Sequence, residues 1–174
     1  GKSFGCRLTY RVQDEAGGIA QALSLAEQFC KDARSEVILG DNIFADSLTE
    51  FIELTRARPD DAAVMIKRVP DPGRYGVAEL SNGRIVGIEE KPANPKSDCA
   101  VAGIYSYPPE VFEVIRTLKP SGRGELEITD VNNHYVRTGK LVSWEMPGYW
   151  TDAGTLASLH HANELVRQEM PKFE

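Results

Sequence analysis

The stretch Val37-Ile38-Leu39-Gly40-Asp41-Asn42 decides the fold class of this 174-residue chain. Three apolar residues followed at once by glycine and aspartate predict a buried parallel strand, Val37 to Leu39, which delivers the carboxylate of Asp41 at its C-terminal end. Ligands of open α/β sheets bind at the carboxyl ends of the strands. We therefore expect Asp41 to lie at the edge of a ligand-binding crevice.

A second aspartate, Asp152, also follows β-type residues and precedes a glycine-containing turn, Ala153-Gly154. Two carboxylates that point into one crevice suit Mg²⁺ when phosphate oxygens and water supply the remaining ligands. Each aspartate has a simpler structural alternative. Asp41 could cap a turn at the end of its strand, and Asp152 could help to cap the helix that follows Gly154.

The remaining sequence predicts alternating strands and helices. Apolar periodicity predicts helices at 19–31, 47–58, 109–118, 128–138 and 155–169. Further strands are expected at 62–69, 76–80, 84–89, 101–107 and 140–145. Asn82-Gly83 predicts a tight hairpin between two of them. This order favours an α/β class with a mixed, mostly parallel sheet flanked by helices, in one domain over residues 1–174.

Composition excludes several classes of protein. The chain has 20 Lys and Arg against 26 Asp and Glu, and this net charge of −6 argues against a broad nucleic-acid-binding surface. No apolar run approaches the roughly 20 residues of a membrane helix, so we expect no membrane partner. Cys6, Cys30 and Cys99 are odd in number and lack CxxC spacing. Free thiols in a reducing, cytoplasmic location are therefore expected.

Seven short phrases extend over essentially the whole chain. They are Leu8-Thr9-Tyr10-Arg11-Val12-Gln13, Gly18-Ile19-Ala20-Gln21-Ala22, Leu39-Gly40-Asp41-Asn42, Arg74-Tyr75-Gly76-Val77, Glu89-Glu90-Lys91-Pro92, Arg123-Gly124-Glu125-Leu126-Glu127-Ile128-Thr129-Asp130 and Trp150-Thr151-Asp152-Ala153-Gly154. In this order they resemble the sugar-1-phosphate nucleotidyltransferases, among which the glucose-1-phosphate thymidylyltransferases are the most similar group. The resemblance implies a Rossmann-like, GT-A-like fold. It also implies nucleotidyl transfer from a nucleoside triphosphate to a hexose 1-phosphate, which yields a nucleotide sugar and pyrophosphate.

The resemblance also implies roles for individual residues. Asp41, Lys91 and Asp152 would be catalytic, with Mg²⁺ held by Asp41 and Asp152. The substrate-binding residues that it implies are Gln13, Gly18, Gln21, Leu39, Gly76, Glu90, Lys91, Val101, Tyr105 and Trp150. Ala102 and Ala153 stand where close relatives are expected to carry threonine.

The chemistry of these side chains suits the implied roles. The amide of Gln13 offers a donor and an acceptor to a pyrimidine edge, and Gly18 lets a backbone N–H approach the base because it has no Cβ. The ammonium group of Lys91 can pair with a phosphate without bidentate geometry. Plainer alternatives are a simple turn at Gly18, a solvated charge run at Lys91, and a core position for Trp150. Arg123 and Glu125 are interpreted mainly as structural or interface residues.

The family begins with a strand and a glycine-rich loop, Gly-x-Gly-Thr-Arg-Leu in outline, which binds the triphosphate through backbone N–H groups. This chain has no counterpart, so we expect the C-terminal portion of the family's full domain, with one side of the Val37–Leu39 strand open. The preferred substrates are dTTP and glucose 1-phosphate, in a homo-oligomer that is incomplete as an enzyme. The alternatives are a uridylyltransferase that uses UTP, or a catalytically inactive sugar-nucleotide binding or interaction module.

Overall fold

The strands form two sheets in the computed structural model, which describes residues 1–169. The strands are β1 Ser35–Ile38, β2 Asn42–Phe44, β3 Ala62–Arg68, β4 Gly76–Ser81, β5 Arg84–Glu90, β6 Cys99–Tyr107, β7 Leu141–Glu145 and β8 Trp150–Asp152. The larger sheet has the order β5-β4-β6-β3-β7, with β1 also paired to β6. Strands β2 and β8 form a separate pair. All nine residues of β6 are buried, which makes this strand the centre of the molecule.

Four of the five predicted helices are confirmed, with ends within two residues of those expected. The helices are α1 Ile19–Ser24, α2 Glu27–Cys30, α3 Thr49–Ala57, α4 Val111–Thr117, α5 Ile128–Arg137 and α6 Leu156–Glu169. The helix predicted over 19–31 is two helices instead. The N–H groups of Leu25 and Ala26 donate to carbonyls three residues back, at Ala22 and Leu23, and this interrupts the α-helical ladder. None of the helices within residues 1–169 has the length and apolar character that spanning a bilayer requires.

Each face of the larger sheet carries its own apolar cluster. Successive side chains of a strand point to opposite faces. Accordingly, Val64 and Ile66 of β3 join the cluster that contains buried residues of α1, α4 and α5. Ala63 and Met65 join the cluster that contains Phe51 of α3. The sheet is therefore covered on both faces, as expected for an α/β protein.

The mixed character of the sheet is confirmed, but the prediction that it is mostly parallel is wrong for the described residues. Strand β3 pairs in parallel with β7, whereas the β1–β6, β3–β6, β4–β5, β4–β6 and β2–β8 pairs are antiparallel. The hairpin inserted between β3 and β6 returns the chain beside β3 in the reverse direction. The β4–β5 turn itself matches the prediction, because Asn82 and Gly83 have φ values of 51° and 74°.

The buried parallel strand predicted at Val37 to Leu39 is also a wrong expectation. Strand β1 covers Ser35–Ile38, runs antiparallel to β6, and has β6 as its one partner within residues 1–169. Ile38 is 52% exposed as a result. Leu39 then continues the contact with β6, because its N–H donates to the carbonyl of Gly103 at 2.9 Å. The chain reaches Asp41 from this point.

Candidate active site

Nine of the twelve predicted site residues line one cavity of about 460 Å³. They are Leu39, Asp41, Gly76, Glu90, Lys91, Val101, Tyr105, Trp150 and Asp152. The cavity opens where β1, β5 and β8 end and where α5 begins, so residues that are distant in sequence meet there. Arg74, Tyr75, Arg123 and Thr129 also line it, although they were not predicted as substrate-binding residues.

The two aspartates are brought together by the small β2–β8 pair. Asn42 lies opposite Asp152 in its register, and the N–H of Ala153 donates to the carbonyl of Asp41 at 2.7 Å. The Oδ2 atoms of Asp152 and Asp41 lie 3.1 and 3.4 Å from the point that a Cβ on Gly154 would occupy. The missing side chain of Gly154 therefore leaves a small space between two carboxylates.

This space suits a divalent cation that brings ligands of its own. No group of three or more His, Cys, Asp or Glu side chains positioned for a metal occurs among residues 1–169, so the protein offers two carboxylates. Mg²⁺ is often held by one or two carboxylates while water and substrate phosphates complete its octahedron. The donor set therefore fits Mg²⁺ in the presence of a phosphorylated ligand.

The carboxylate of Asp152 is held by neighbouring donors. Tyr75 donates through its hydroxyl at 2.7 Å, and Arg74 Nη2 lies 3.1 and 3.2 Å from the two carboxylate oxygens. The backbone N–H of Gly154 donates at 3.2 Å. Burial disfavours the ionised form, but these contacts outweigh it, and the pKa of Asp152 is lowered from its ordinary value. Asp152 is therefore an anion at neutral pH.

Asn42 connects Asp41 to the rest of the site, although it was not among the predicted site residues. Its Oδ1 accepts hydrogen bonds from the backbone N–H of Gly103 at 2.9 Å and from Nε1 of Trp150 at 2.7 Å. Its Nδ2 donates to Oδ1 of Asp41 at 2.9 Å. Asn42 therefore orients Asp41, and leaves the other carboxylate oxygen of that residue available.

Charged groups of opposite sign lie at the end of β5 and in the segment before α5. Glu90 accepts a hydrogen bond from the Thr129 hydroxyl at 2.6 Å, and Arg123 lies 3.7 Å from its other oxygen. Gly76 leaves space beside this pair, because a Cβ there would stand 3.2 Å from Thr129 and 3.4 Å from Glu90. Lys91 is exposed and has a φ of 44°, a left-handed conformation that directs the chain away from β5.

Comparison with known proteins identifies the family. Residues 1–169 match the family model described as nucleotidyl transferase. The chain belongs to this family. It is 44% identical to a glucose-1-phosphate thymidylyltransferase of Neisseria gonorrhoeae over 96% of the chain and 59% of that protein. It is 37% identical to one of Streptomyces antibioticus over 100% of the chain and 50% of that protein. The chain thus spans between half and three fifths of these relatives.

A solved structure extends the comparison to three dimensions. It is a crystal structure of a proposed glucose-1-phosphate thymidylyltransferase from Bacillus anthracis in complex with a sucrose. The TM-score is 0.91 at 52% identity, over 99% of this chain and 70% of that one. The α/β fold described above is therefore that of the nucleotidyl transferases, including its mixed sheet.

Three of the predicted site residues do not line the cavity. Gln13 donates through Nε2 to Oε1 of Gln21 at 2.6 Å and to the carbonyl of Gly18 at 3.1 Å, so the three form a separate polar cluster. Gly18 has a φ of 93°, and a Cβ there would stand 2.4 Å from the Leu126 carbonyl oxygen. The requirement for glycine therefore comes from close packing against Leu126.

The two alanines at positions where threonine was expected, Ala102 and Ala153, differ in their relation to the cavity. Ala102 is fully buried in the cluster that contains Phe51, on the face of β6 opposite Val101 and Tyr105. It therefore does not line the cavity. Ala153 contacts Asp41 through its backbone N–H, and this hydrogen bond does not depend on the side chain.

The structure gives Trp150 and Arg123 fuller roles than the sequence indicated. Trp150 lines the cavity and is only 7% exposed within the cluster around Phe51, so it belongs to both the site and the core. Arg123 lines the cavity and donates to the Glu127 carboxylate at 2.8 Å, so it is more than an interface residue. Its position in the phrase Arg123-Gly124-Glu125 was the available signal.

Proposed function

We propose that this chain forms the metal-binding and sugar-phosphate-binding part of a glucose-1-phosphate thymidylyltransferase. In that reaction a phosphate oxygen of glucose 1-phosphate bonds to the α-phosphorus of dTTP while the bond to pyrophosphate breaks. The observation that carries the proposal is the meeting of Asp41, Asp152, Glu90 and Lys91 at one cavity. The names of the relatives, at 37 to 44% identity, supply the substrates.

The protein's own contribution would be positioning and charge. Lys91 and Arg123 present two cationic groups to the phosphate of the sugar. Glu90, with one oxygen engaged by Thr129, would accept hydrogen bonds from sugar hydroxyls. No serine or cysteine lines the cavity in the part of the chain that the structure describes, and the proposed transfer needs no covalent intermediate with the protein.

Mg²⁺ forms part of the proposal, with Asp41 and Asp152 as its protein ligands. When bound, the metal would neutralise charge on the phosphates and on the departing pyrophosphate. The hydrogen bond from Asn42 would keep Asp41 turned towards the cation. The proposal further includes a cytoplasmic homo-oligomer, and the exposed Leu156 on α6 supports a contact between copies.

The test begins with calorimetric titration of dTDP-glucose and UDP-glucose into the chain. We expect dTDP-glucose to bind more tightly, and Lys91→Ala to weaken it about tenfold through the loss of a charge-assisted contact. Lys96→Ala is the matched control, because Lys96 pairs with Glu79 outside the cavity. Failure to bind either nucleotide sugar would contradict the proposal, and tighter binding of UDP-glucose would favour the uridylyltransferase alternative.

Release of pyrophosphate from dTTP and glucose 1-phosphate with Mg²⁺ tests the reaction itself. We expect Asp41→Ala to abolish any turnover that the wild-type protein supports. Turnover that survives this substitution would reject Asp41 as the metal ligand. Binding of dTDP-glucose without turnover would mean that the metal-binding and sugar-phosphate-binding part is intact but does not suffice for the reaction.

A further inference from the structure

The side chain of Arg74 forms an ion pair with Asp152, one of the two aspartates proposed to bind the metal. Its Nη2 lies within 3.2 Å of both oxygens of Asp152, and Arg74 ends the 3₁₀ turn Pro72–Arg74 just before β4. The Asp152 side chain is 15% exposed and that of Arg74 is 42% exposed. The ion pair is thus shielded on the carboxylate side and open to solvent on the arginine side.

Aromatic packing directs Arg74 towards Asp152. The guanidinium carbon lies 5.2 Å from the centre of the Tyr75 ring, within the range of a cation–π contact. The Tyr75 ring packs edge-on against Trp150 at 5.0 Å between centroids. Asp152 is the one acidic partner of Arg74 among residues 1–169. The guanidinium therefore has one electrostatic partner and a fixed ring behind it.

Asp152 and Asp41 differ in how many of their carboxylate oxygens already accept hydrogen bonds from the protein. Oδ1 of Asp152 accepts from Tyr75 and Arg74, and Oδ2 accepts from Arg74, from the Gly154 N–H and, at 3.5 Å, from the Ser158 hydroxyl. Asp41 has a single side-chain partner, Asn42, at its Oδ1. A cation that bridges the two carboxylates therefore has to replace Arg74 at Asp152, whereas the facing oxygen of Asp41 has no protein partner in the described residues.

We propose that Arg74 is a positioning residue that neutralises Asp152 as an internal cation and is displaced when a divalent cation binds between Asp41 and Asp152. This inference rests on the metal site of the proposed function. The displaced guanidinium stays at the cavity wall, where its planar donors match a phosphate. Metal binding thus frees a phosphate ligand, and the two binding events strengthen each other.

Competition between Arg74 and the metal predicts that removal of Arg74 changes metal affinity in the direction opposite to that expected if Arg74 only held Asp152 in place. If Arg74 only held Asp152 in place, its removal would weaken metal binding. Because a cation and Arg74 compete for the same oxygens, its removal should tighten metal binding instead. General damage to the fold would not produce this gain.

The experiment measures the binding of Mn²⁺ alone, from the paramagnetic resonance signal of the free ion. We expect Arg74→Gln to lower the dissociation constant about fivefold, as suits a half-exposed ion pair. Arg74→Lys keeps the positive charge and should stay close to wild type. Arg116→Gln is the matched control, because Arg116 pairs with Glu27 away from the cavity.

The outcomes separate the inference from the proposed function. Equal or weaker Mn²⁺ binding by Arg74→Gln, or no binding by either protein, overturns the competition. Asp41→Asn and Asp152→Asn, each combined with Arg74→Gln, should abolish the tighter binding. If the double variants still bind Mn²⁺ more tightly than wild type, the assignment of Asp41 and Asp152 as metal ligands is wrong. With inorganic pyrophosphate as probe, Mn²⁺ should enhance binding to wild type more than to Arg74→Gln, and equal enhancement would also contradict the coupling.

Discussion

Asn42 shows how much one side chain contributes to this site. It supplies the acceptor for two donors, the Gly103 N–H and the Trp150 ring N–H, both part-buried. We predict that Asn42→Ala lowers the free energy of unfolding by about 1–3 kcal/mol, because donors left without an acceptor keep their desolvation cost. Urea denaturation measures this change.

A control variant separates this effect from the general loss of an amide. Asn163 on α6 also donates one side-chain hydrogen bond, to the Leu159 carbonyl, but it is exposed. Asn163→Ala should change stability by less than about 0.5 kcal/mol. Equal losses for the two variants would reject the role assigned to Asn42.

Lys91 combines a strained backbone with a proposed binding role. A non-glycine residue in the left-handed region costs about 1–2 kcal/mol, of which glycine recovers part. We therefore predict that Lys91→Gly raises the free energy of unfolding by up to about 1 kcal/mol and weakens dTDP-glucose binding. Unfolding by urea and calorimetric titration measure the two effects.

Lys31 provides the comparison for that prediction. It also has a positive φ, 47°, but lies at the end of α2 and does not line the cavity. Lys31→Gly should stabilise the protein without changing dTDP-glucose binding. A loss of binding in Lys31→Gly would show that the effect of Lys91→Gly is not local.

The sequence located single residues of the site better than it located their partners. Asp41 and Asp152 were predicted because each follows β-type residues and has a glycine within two positions, Gly40 before Asp41 and Gly154 after Asp152. Arg74 was not assigned to the site, because its contact with Asp152 joins residues 78 positions apart and exists only after β2 and β8 pair. Such contacts depend on tertiary packing, which local pattern does not encode.

At the scale of an element, α6 is anchored beside the site by its first turn. Thr155 Oγ1 accepts from the Ser158 N–H at 3.1 Å, while Ser158 Oγ accepts from the Thr155 N–H at 3.0 Å. We predict that Thr155→Ala lowers the free energy of unfolding by about 1 kcal/mol through loss of this cap. Thermal and urea unfolding measure it. Thr155→Ser keeps the hydroxyl and should retain most of the stability; an equal loss in both variants would contradict the capping role.

The β4–β5 turn and strand β1 differ in how far the local sequence determines their structure. The Asn82-Gly83 turn was predicted because positive φ values are encoded by those two residues alone. The open side of β1 was expected from the family resemblance and not from any local signal, because Val37 and Ile38 look the same whether one or two strands lie beside them. Ile38 is half exposed because β6 is the one strand beside β1 in the described residues. The burial of a strand depends on which elements pack beside it, and the strand's own residues do not specify these.

At the scale of the whole molecule, acidification should act through Glu127. Burial opposes ionisation of Glu127, but hydrogen bonds from Arg123 and Ser121 outweigh it, so its pKa is lowered from the ordinary value of 4.5. The folded state then binds fewer protons than the unfolded state. The stabilisation is complete above the unfolded pKa and is lost as pH falls through the lower, folded pKa.

Glu127→Gln tests this dependence. We predict that wild type exceeds the variant in free energy of unfolding at neutral pH, and that the difference shrinks as pH falls below 4.5. Urea unfolding at a series of pH values measures it. Glu53→Gln, at an exposed position on α3, should show no such trend. A difference that grows on acidification would reverse the assigned sign.

The direction of the strands was the main property of the whole molecule that the sequence did not predict. Alternation of strands and helices indicates parallel neighbours, and β3 and β7 follow that rule. Strands β3 and β6 are separated by a hairpin rather than a helix and run antiparallel. The α/β class depends on composition and periodicity, whereas strand direction depends on which strands become neighbours.

The pairing of β2 with β8 has a consequence for the order of events during synthesis. Asn42 lies opposite Asp152, so the two carboxylates meet only after more than a hundred further residues have been made. At roughly 5–20 residues per second, the ribosome exposes Asp41 roughly 5–20 seconds before Asp152 exists. A nascent chain therefore spends this time with one of the two carboxylates of the proposed cation site, and acquires the other only when β8 has been made.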